Sequence, residues 1–315
     1  MNKRSVVLYC FILTSLSSCG QAKTGQQVPV TRSVYNSISQ SVRTFDYNPT
    51  YQVRFTNVSC SYEIFVNDML VTFSFSPGNT AGEQSADIPQ YILKSGPQEL
   101  KIKLYPEAGG DGNPGNAFND NSSCTARIVH GDYEKNIRDN YKEVLKIKSP
   151  VLNPGVPGRE LKGSFTAKVP YTLQGWSAGA DLKQEDKAAL TKEVVAVYQQ
   201  FIKAFENKDV PAIASMIYNR EKEIAQAFFF VPGKPNSYDQ GWEKLEKEVT
   251  AIKSIQLVKG YELRYSGDGK VVALLQPKGT DRDYPAIEAE TEDKYSYYAL
   301  YLYRPAPGSP LRVIR

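Results

Sequence analysis

The sequence predicts an α+β protein. An antiparallel β-sandwich comes first, then a cone-shaped domain of three helices packed on a curved antiparallel sheet. Three observations predict this order. Between residues 51 and 105, apolar residues alternate with period two in short runs separated by Gly, Pro and Asn turns. From Glu185 the apolar period becomes 3.6, and after Ile255 it returns to two. At 315 residues, the chain is long for one hydrophobic core and sufficient for two.

The first twenty residues address the chain. Residues 1–4 are basic, and residues 5–16 are apolar and uncharged, the two leading regions of an export signal. The apolar run is too short to cross a bilayer as a helix, which needs roughly 20 residues. It ends in Leu16-Ser17-Ser18-Cys19-Gly20. This motif resembles the lipobox of bacterial lipoproteins. The resemblance implies cleavage after residue 18 and diacylglycerol on Cys19. It also implies a bacterial envelope protein held to the membrane by its acyl chains. No acidic cluster follows Cys19, which favours a periplasm-facing position. The alternative is an ordinary secretory signal cut a few residues later. Residues 19–48 are polar and rich in Gln, Ser and Thr, and read as a flexible spacer.

Residues 49–178 carry the strand pattern. Tyr51-Gln52-Val53-Arg54-Phe55 alternates, Tyr62 to Val66 follows, and Asn67-Asp68 turns the chain into a third run. Leu100-Lys101-Ile102-Lys103-Leu104 is a clean alternating strand. Further strands are expected at residues 125–130, 144–148 and 165–173. The hairpin Ile64-Phe65-Val66-Asn67-Asp68 and the later Leu100-x-Ile102-x-Leu104 are similar to jelly-roll modules attached to glycosidases. That resemblance covers about residues 61–104 and would imply sugar binding.

Residues 179–315 begin with the helical stripe Leu190, Val194, Val197, Tyr198, Phe201, Ile202 and Phe205. Asn207-Lys208-Asp209 breaks it. Pro211 opens a second helix, where its missing N–H costs nothing. Residues 242–252 form a third. Strands are expected at residues 255–265, 271–275, 295–303 and 311–314. The stripe Val194-x-x-Val197-Tyr198-x-x-Phe201-x-x-Ala204-Phe205, the Asn207-Lys208-Asp209 turn and Ile213-x-x-Met216 resemble the nuclear transport factor 2-like fold. That fold hosts isomerases, dehydratases, adaptors and immunity proteins alike, so it implies architecture more than activity.

Four cysteines are present. Cys10 leaves with the signal and Cys19 takes lipid. Cys60 and Cys124 remain as a pair in an oxidising compartment. A structural disulfide is expected, closing a loop of about 64 residues worth roughly 3–5 kcal/mol. Two thiols are the alternative, and no C-x-x-C motif suggests redox catalysis.

Composition excludes several classes. One His rules out a multi-His metal site. A net charge of +4 does not suggest nucleic acid. There is no Gly-rich phosphate loop of the G-x-x-x-x-G-K-S/T kind and no zinc spacing. The carboxylates Glu206, Asp209, Asp239 and Glu262 lack a His partner, since His130 lies in the first half. They read as surface or capping groups. Asp111-Gly112-Asn113-Pro114-Gly115-Asn116 offers oxygens for Ca²⁺ or a plain polar turn. No catalytic residue, metal site or cofactor is assigned.

The aromatic content is the functional signal: 21 Tyr against 13 Phe and 2 Trp. Tyr295, Tyr297, Tyr301 and Tyr303 fall on one face of the expected strand, and Phe229 and Trp242 lie in nearby apolar segments. Tyrosine suits interfaces because it combines large area, low entropy loss and a polar tip. The competing reading is that these rings line a closed core. The expected function is therefore a non-catalytic envelope lipoprotein that binds a protein partner, of the immunity or inhibitor kind. Alternatives are glycan binding by the sandwich and a small-molecule lyase or isomerase in the cone. Replacing Cys19→Ala is expected to move the protein from the membrane to the soluble fraction. Retention in the membrane fraction of lysed cells would count against lipidation.

Overall fold

The computed structural model describes residues 30–78, 80–135 and 140–315. Cys19 and the export signal lie outside the described residues. Among the described residues, no helix is long and apolar enough to cross a membrane. The fold is mixed α+β, with four α-helices and fifteen strands in antiparallel sheets among the described residues.

After helix α1 (Arg32–Asn36), eight strands follow: β1 (Pro49–Val58), β2 (Cys60–Val66), β3 (Met69–Ser74), β4 (Ala81–Asp87), β5 (Gly96–Pro106), β6 (Ser123–Asp132), β7 (Lys142–Lys148) and β8 (Arg159–Ala167). They form two four-stranded sheets, in the orders β4-β1-β6-β7 and β3-β2-β5-β8. The β1–β6 ladder runs unbroken from Pro49↔Asp132 to Val58↔Ser123. Val53 and Phe55 of β1, Tyr62 and Ile64 of β2, Ile102 and Leu104 of β5, and Ile128 of β6 share one apolar core. Each such side chain contributes about 1.5–3 kcal/mol on burial, an upper value because unfolded chains already bury some of it. Strand β2 departs from simple alternation, being buried at every residue. Tyr62, Ile64 and Val66 enter that core, whereas Phe65 packs with Ala273 and Leu275 of the second half.

The second half has α2 (Lys187–Glu206), α3 (Val210–Ala227) and α4 (Gly241–Ala251). Asp186 caps α2 by accepting the Ala189 N–H at 2.8 Å, and Asp209 caps α3 by accepting that of Ala212 at 3.0 Å. Between them Lys208 turns at φ +54°. Its ammonium donates to the carbonyls of Val249 and Ile252 at 2.8 and 2.5 Å, satisfying the end of α4. Seven strands complete the chain: β9 (Ser254–Leu257), β10 (Glu262–Ser266), β11 (Val271–Leu275), β12 (Ile287–Glu290), β13 (Tyr295–Tyr298), β14 (Leu302–Tyr303) and β15 (Arg312–Val313). They form sheets β10-β11-β14-β15 and β13-β12-β9. The buried stripe of α2, including Tyr198, Phe201 and Phe205, packs against side chains of both sheets. The Tyr198 hydroxyl accepts the Leu274 N–H at 2.9 Å and donates to the Leu300 carbonyl at 2.7 Å. It thus ties β11 to the link between β13 and β14.

Two expectations need correction. The strand expected over residues 295–303 is two strands in different sheets, β13 and β14, broken between Ala299 and Tyr301. The spacer expected over residues 19–48 is folded from Val30 onward. Thr31 caps α1, and Tyr35 and Ile38 are buried with Trp242 in the core of the second half. The Asn36 side chain accepts the Trp242 N–H at 2.7 Å and donates to Glu243 at 2.9 Å. Three apolar side chains within a polar run suffice to dock it.

Cys60 and Cys124, the pair expected to form a disulfide, are both buried in the core of the first half. Cys60 Sγ donates to the Ser123 carbonyl at 3.4 Å. Burial pushes the Cys60 thiol up to about 11 and that of Cys124 up to about 12. Little thiolate exists at neutral pH in such sites, and the thiolate is the reactive form. The reagent 5,5′-dithiobis(2-nitrobenzoate) is expected to label neither Cys60 nor Cys124 in the native protein at pH 8. In denaturant without reductant, labelling of neither cysteine supports the expected bridge and labelling of both refutes it.

Candidate functional site

The candidate surface is what remains after the two halves have covered one another. Their junction uses most of the aromatic residues picked out from the sequence. Phe229 sits just past α3 at φ +52°, fully buried among side chains of the first half. Its ring lies 5.9 Å from that of Tyr171, 6.4 Å from Tyr133 and 6.5 Å from Phe45. Tyr303 packs with Met69 and Trp176, and Tyr301 packs beside Phe65 and Leu70. Trp242 is buried against Tyr35, ring centroids 6.3 Å apart. Phe229, Trp242, Tyr301 and Tyr303 therefore face their own chain, and their expected place on a partner surface is not observed. The β3 hairpin and the α1 segment reach them first.

Tyr295 and Tyr297 remain outside, 72% and 36% exposed. They project from β13, the edge of its three-stranded sheet. Ser296 and Tyr298 alternate with them, and Tyr298 turns inward onto Phe205, 5.1 Å between centroids. Tyr284, 37% exposed, extends the row, its ring 4.7 Å from Tyr297. Phe73 of β3 meets Tyr284 edge-on at 5.1 Å. The row thus crosses from the second half to the first. Glu290 and Glu288 on β12 stand opposite Tyr295 and Tyr297 and give it an acidic rim. Burial, with the nearby charges of Asp281 and Glu288, raises the Tyr297 hydroxyl. Sequence reasoning missed Tyr284 and Phe73. Tyr284 belongs to an irregular turn without period, and the contact between it and Phe73 spans more than 200 positions of chain.

The groups considered for chemistry are occupied by structure. Asp209 is a helix cap, Asp239 accepts the Gly233 N–H at 2.7 Å, and Glu206 and Glu262 are exposed. His130 stacks on Tyr51 at 5.3 Å and its Nδ1 lies 3.0 Å from the Tyr47 hydroxyl. Burial, then the charge of Lys142, lowers its pKa. Asp111 accepts the backbone N–H of Asn113 at 3.0 Å and its side-chain amide at 2.8 Å. No group of three His, Cys, Asp or Glu residues able to hold a metal occurs among the described residues. The space between α2 and the sheets is filled with apolar side chains and Tyr198. A surface cleft of about 770 Å³ lies beside Arg304. The Arg304 guanidinium is committed to Glu185 at 2.8 Å and Glu193 at 2.6 Å.

No family model, curated protein or solved structure matches the chain.

The junction that frames this surface also depends on a close backbone approach. Gly112 has φ +73°, and a Cβ there would lie 2.1 Å from the Thr280 backbone nitrogen. Gly112→Ala is expected to destabilise the protein by about 2 kcal/mol or more, from backbone strain and steric overlap together. Gly110→Ala, where a Cβ meets nothing within 4 Å, is the neutral comparison. Chemical denaturation of both variants checks this, and equal midpoints would refute it.

Proposed function

We propose that this chain is a lipid-anchored envelope protein that binds a protein partner through its exposed aromatic edge and catalyses no reaction. On this reading the first half is a β-sandwich of jelly-roll type and the second is a cone of the nuclear transport factor 2-like kind. The reading rests on the row Tyr295, Tyr297, Tyr284 and Phe73 at the open edge of β13. An edge strand offers unpaired backbone groups to an added strand, and flanking rings give that strand an apolar seat. Aromatic anchors with a polar rim are the usual energetic centre of protein interfaces.

The ring planes favour a protein over a glycan. Tyr284 and Tyr297 are tilted by 46° and Phe73 and Tyr284 by 90°, so they form no flat platform for a sugar ring. A lyase or isomerase in the cone is disfavoured by its packed apolar interior. The immunity or inhibitor role is the form of capture that fits an anchored envelope protein.

Photo-crosslinking tests the surface. A crosslinking residue placed at Tyr295 or Tyr297 is expected to trap one protein partner in the native envelope. The same residue at Val151, which is exposed elsewhere, traps none. The double variant Tyr295→Ser, Tyr297→Ser is expected to weaken that complex at least tenfold, since hot-spot truncations each cost more than about 1 kcal/mol. Equal trapping at Val151, or none at either tyrosine, would overturn the assignment.

A further inference from the structure

The junction between the halves contains two buried carboxyl groups from opposite sides. Glu63 comes from β2 of the first half and is 1% exposed, and Asp283 comes from the turn before β12 and is also 1% exposed. Asp283 is held at φ +68°, an uncommon conformation for a residue with a side chain. One guanidinium, that of Arg264 on β10, serves both. It donates to Glu63 Oε1 at 3.1 Å and to Asp283 Oδ1 at 2.6 Å. The Tyr105 hydroxyl donates to Glu63 Oε2 at 2.6 Å. Three of the four carboxyl oxygens therefore have donors. Asp283 Oδ2 is buried and has none among the described residues.

The other charged neighbours do not fill that vacancy. Lys103 on β5 is 4.0 Å from Glu63 Oε2. Arg282 Nε is 3.9 Å from Asp283 Oδ2, beyond hydrogen-bond distance. The Arg282 guanidinium lies instead over the rings of Phe75 and Tyr105, 4.3 and 5.0 Å from their centroids. Tyr301 also faces Asp283 and stays neutral, its hydroxyl raised mainly by burial. An ionised Asp283 would put two buried anions on one shared cation, with an oxygen unsatisfied. A proton on Asp283 removes the second anion and supplies a donor for the side-chain hydrogen bond between Asp283 and Glu63.

We infer that Glu63 and Asp283 share one proton across the junction, and that this proton latches the two halves together. The electrostatics agree in direction. Burial, then the hydrogen bond and charge of Glu63, push Asp283 up to about 7. Burial opposes ionisation of Glu63. Hydrogen bonds from Asp283 and Tyr105 and the charges of Arg264 and Lys103 outweigh it, so Glu63 stays below the usual carboxylate range. A carboxyl raised in the closed state favours closure below its ordinary pKa near 4. That advantage is lost as the pH rises to about 7 and stays lost above it. Glu63 adds an opposite slope only below its ordinary pKa of 4.5, which leaves pH 5–7 to Asp283.

Isotope-edited infrared spectroscopy of the full protein carrying ¹³C-aspartate reads this proton directly. At pH 6 one protonated aspartate is expected, titrating away by pH 8 and missing from Asp283→Asn. In Glu63→Gln the neighbouring anion is gone, and the midpoint is expected to fall by about one pH unit or more. Hydrogen exchange of β2 and β10, corrected for intrinsic rates, reads the latch. Its opening constant is expected to rise by at most about tenfold per pH unit between pH 5 and 7 and to level off above. In Asp283→Asn that slope disappears. If either variant fails to fold, the wild-type titration and exchange slope decide alone. No protonated aspartate at pH 6, or exchange flat from pH 5 to 7, overturns the inference.

Discussion

A strand that is buried on both faces needs a second partner, and β2 is such a strand. Its inner face carries Tyr62, Ile64 and Val66 into the core of the first half. Its other face carries Phe65 and Glu63, neither of which could stay without cover at small cost. Phe65 needs apolar neighbours, and Glu63 needs charge-assisted hydrogen bonds to offset its desolvation. The second half meets both needs, with Ala273 and Leu275 around Phe65 and Arg264 on Glu63. Removing one partner of such a buried pair leaves an uncompensated charge, which costs about 3–5 kcal/mol. The halves are thus bound by a requirement of the first half's own sheet.

Other parts of the junction follow the same logic. Phe229 enters the first half's core from the end of α3. Arg315, almost fully buried at the end of the chain, donates to the Gln90 carbonyl at 2.9 Å and to Glu223 at 3.0 Å. Its guanidinium also lies over the Trp176 ring at 5.3 Å. Glu223 in turn accepts the Gly175 N–H at 2.9 Å, which anchors the segment joining the halves. These contacts come from regions far apart in sequence. The junction consequently has many independent points of attachment, and a change at one of them is resisted by the others.

Local structure was legible in the sequence where a period was long and unbroken. The α2 stripe from Leu190 to Phe205 and the alternation of β1 and β5 appear as read. Period alone failed where alternation continued through a break. Tyr295, Tyr297, Tyr301 and Tyr303 keep their parity, yet Ala299 to Tyr301 leaves one sheet and joins another. At the break the Leu300 carbonyl is taken by a non-local bond, from the Tyr198 hydroxyl. The N-terminal segment was misread for a different reason. Its apolar residues are too few to mark an element, and Tyr35 counts only because Trp242 and Tyr238 lie within 6.3 Å of it. Of the aromatic residues singled out, alternation could sort one face from the other. It could not tell whether the second half's face would meet solvent or β3.

The edges of the sheets explain why the remaining exposed tyrosines stand out. Strand β7 closes one sheet and carries Lys142, Lys146 and Lys148, all exposed. Strand β8 closes the other and carries Arg159, Glu160 and Lys162. Charged side chains on an edge disfavour the addition of another strand, because pairing would strip their hydration. The β13 edge carries Tyr295 and Tyr297 at its exposed positions instead, with the acidic residues one strand away on β12. Its neighbour Tyr284 leans toward Phe73, so the aromatic surface is supported from both halves. Exposed rings at an unguarded edge favour association unless something covers them. A surface so placed also depends on the junction beneath it, because the Phe73–Tyr284 contact exists only while the halves are closed.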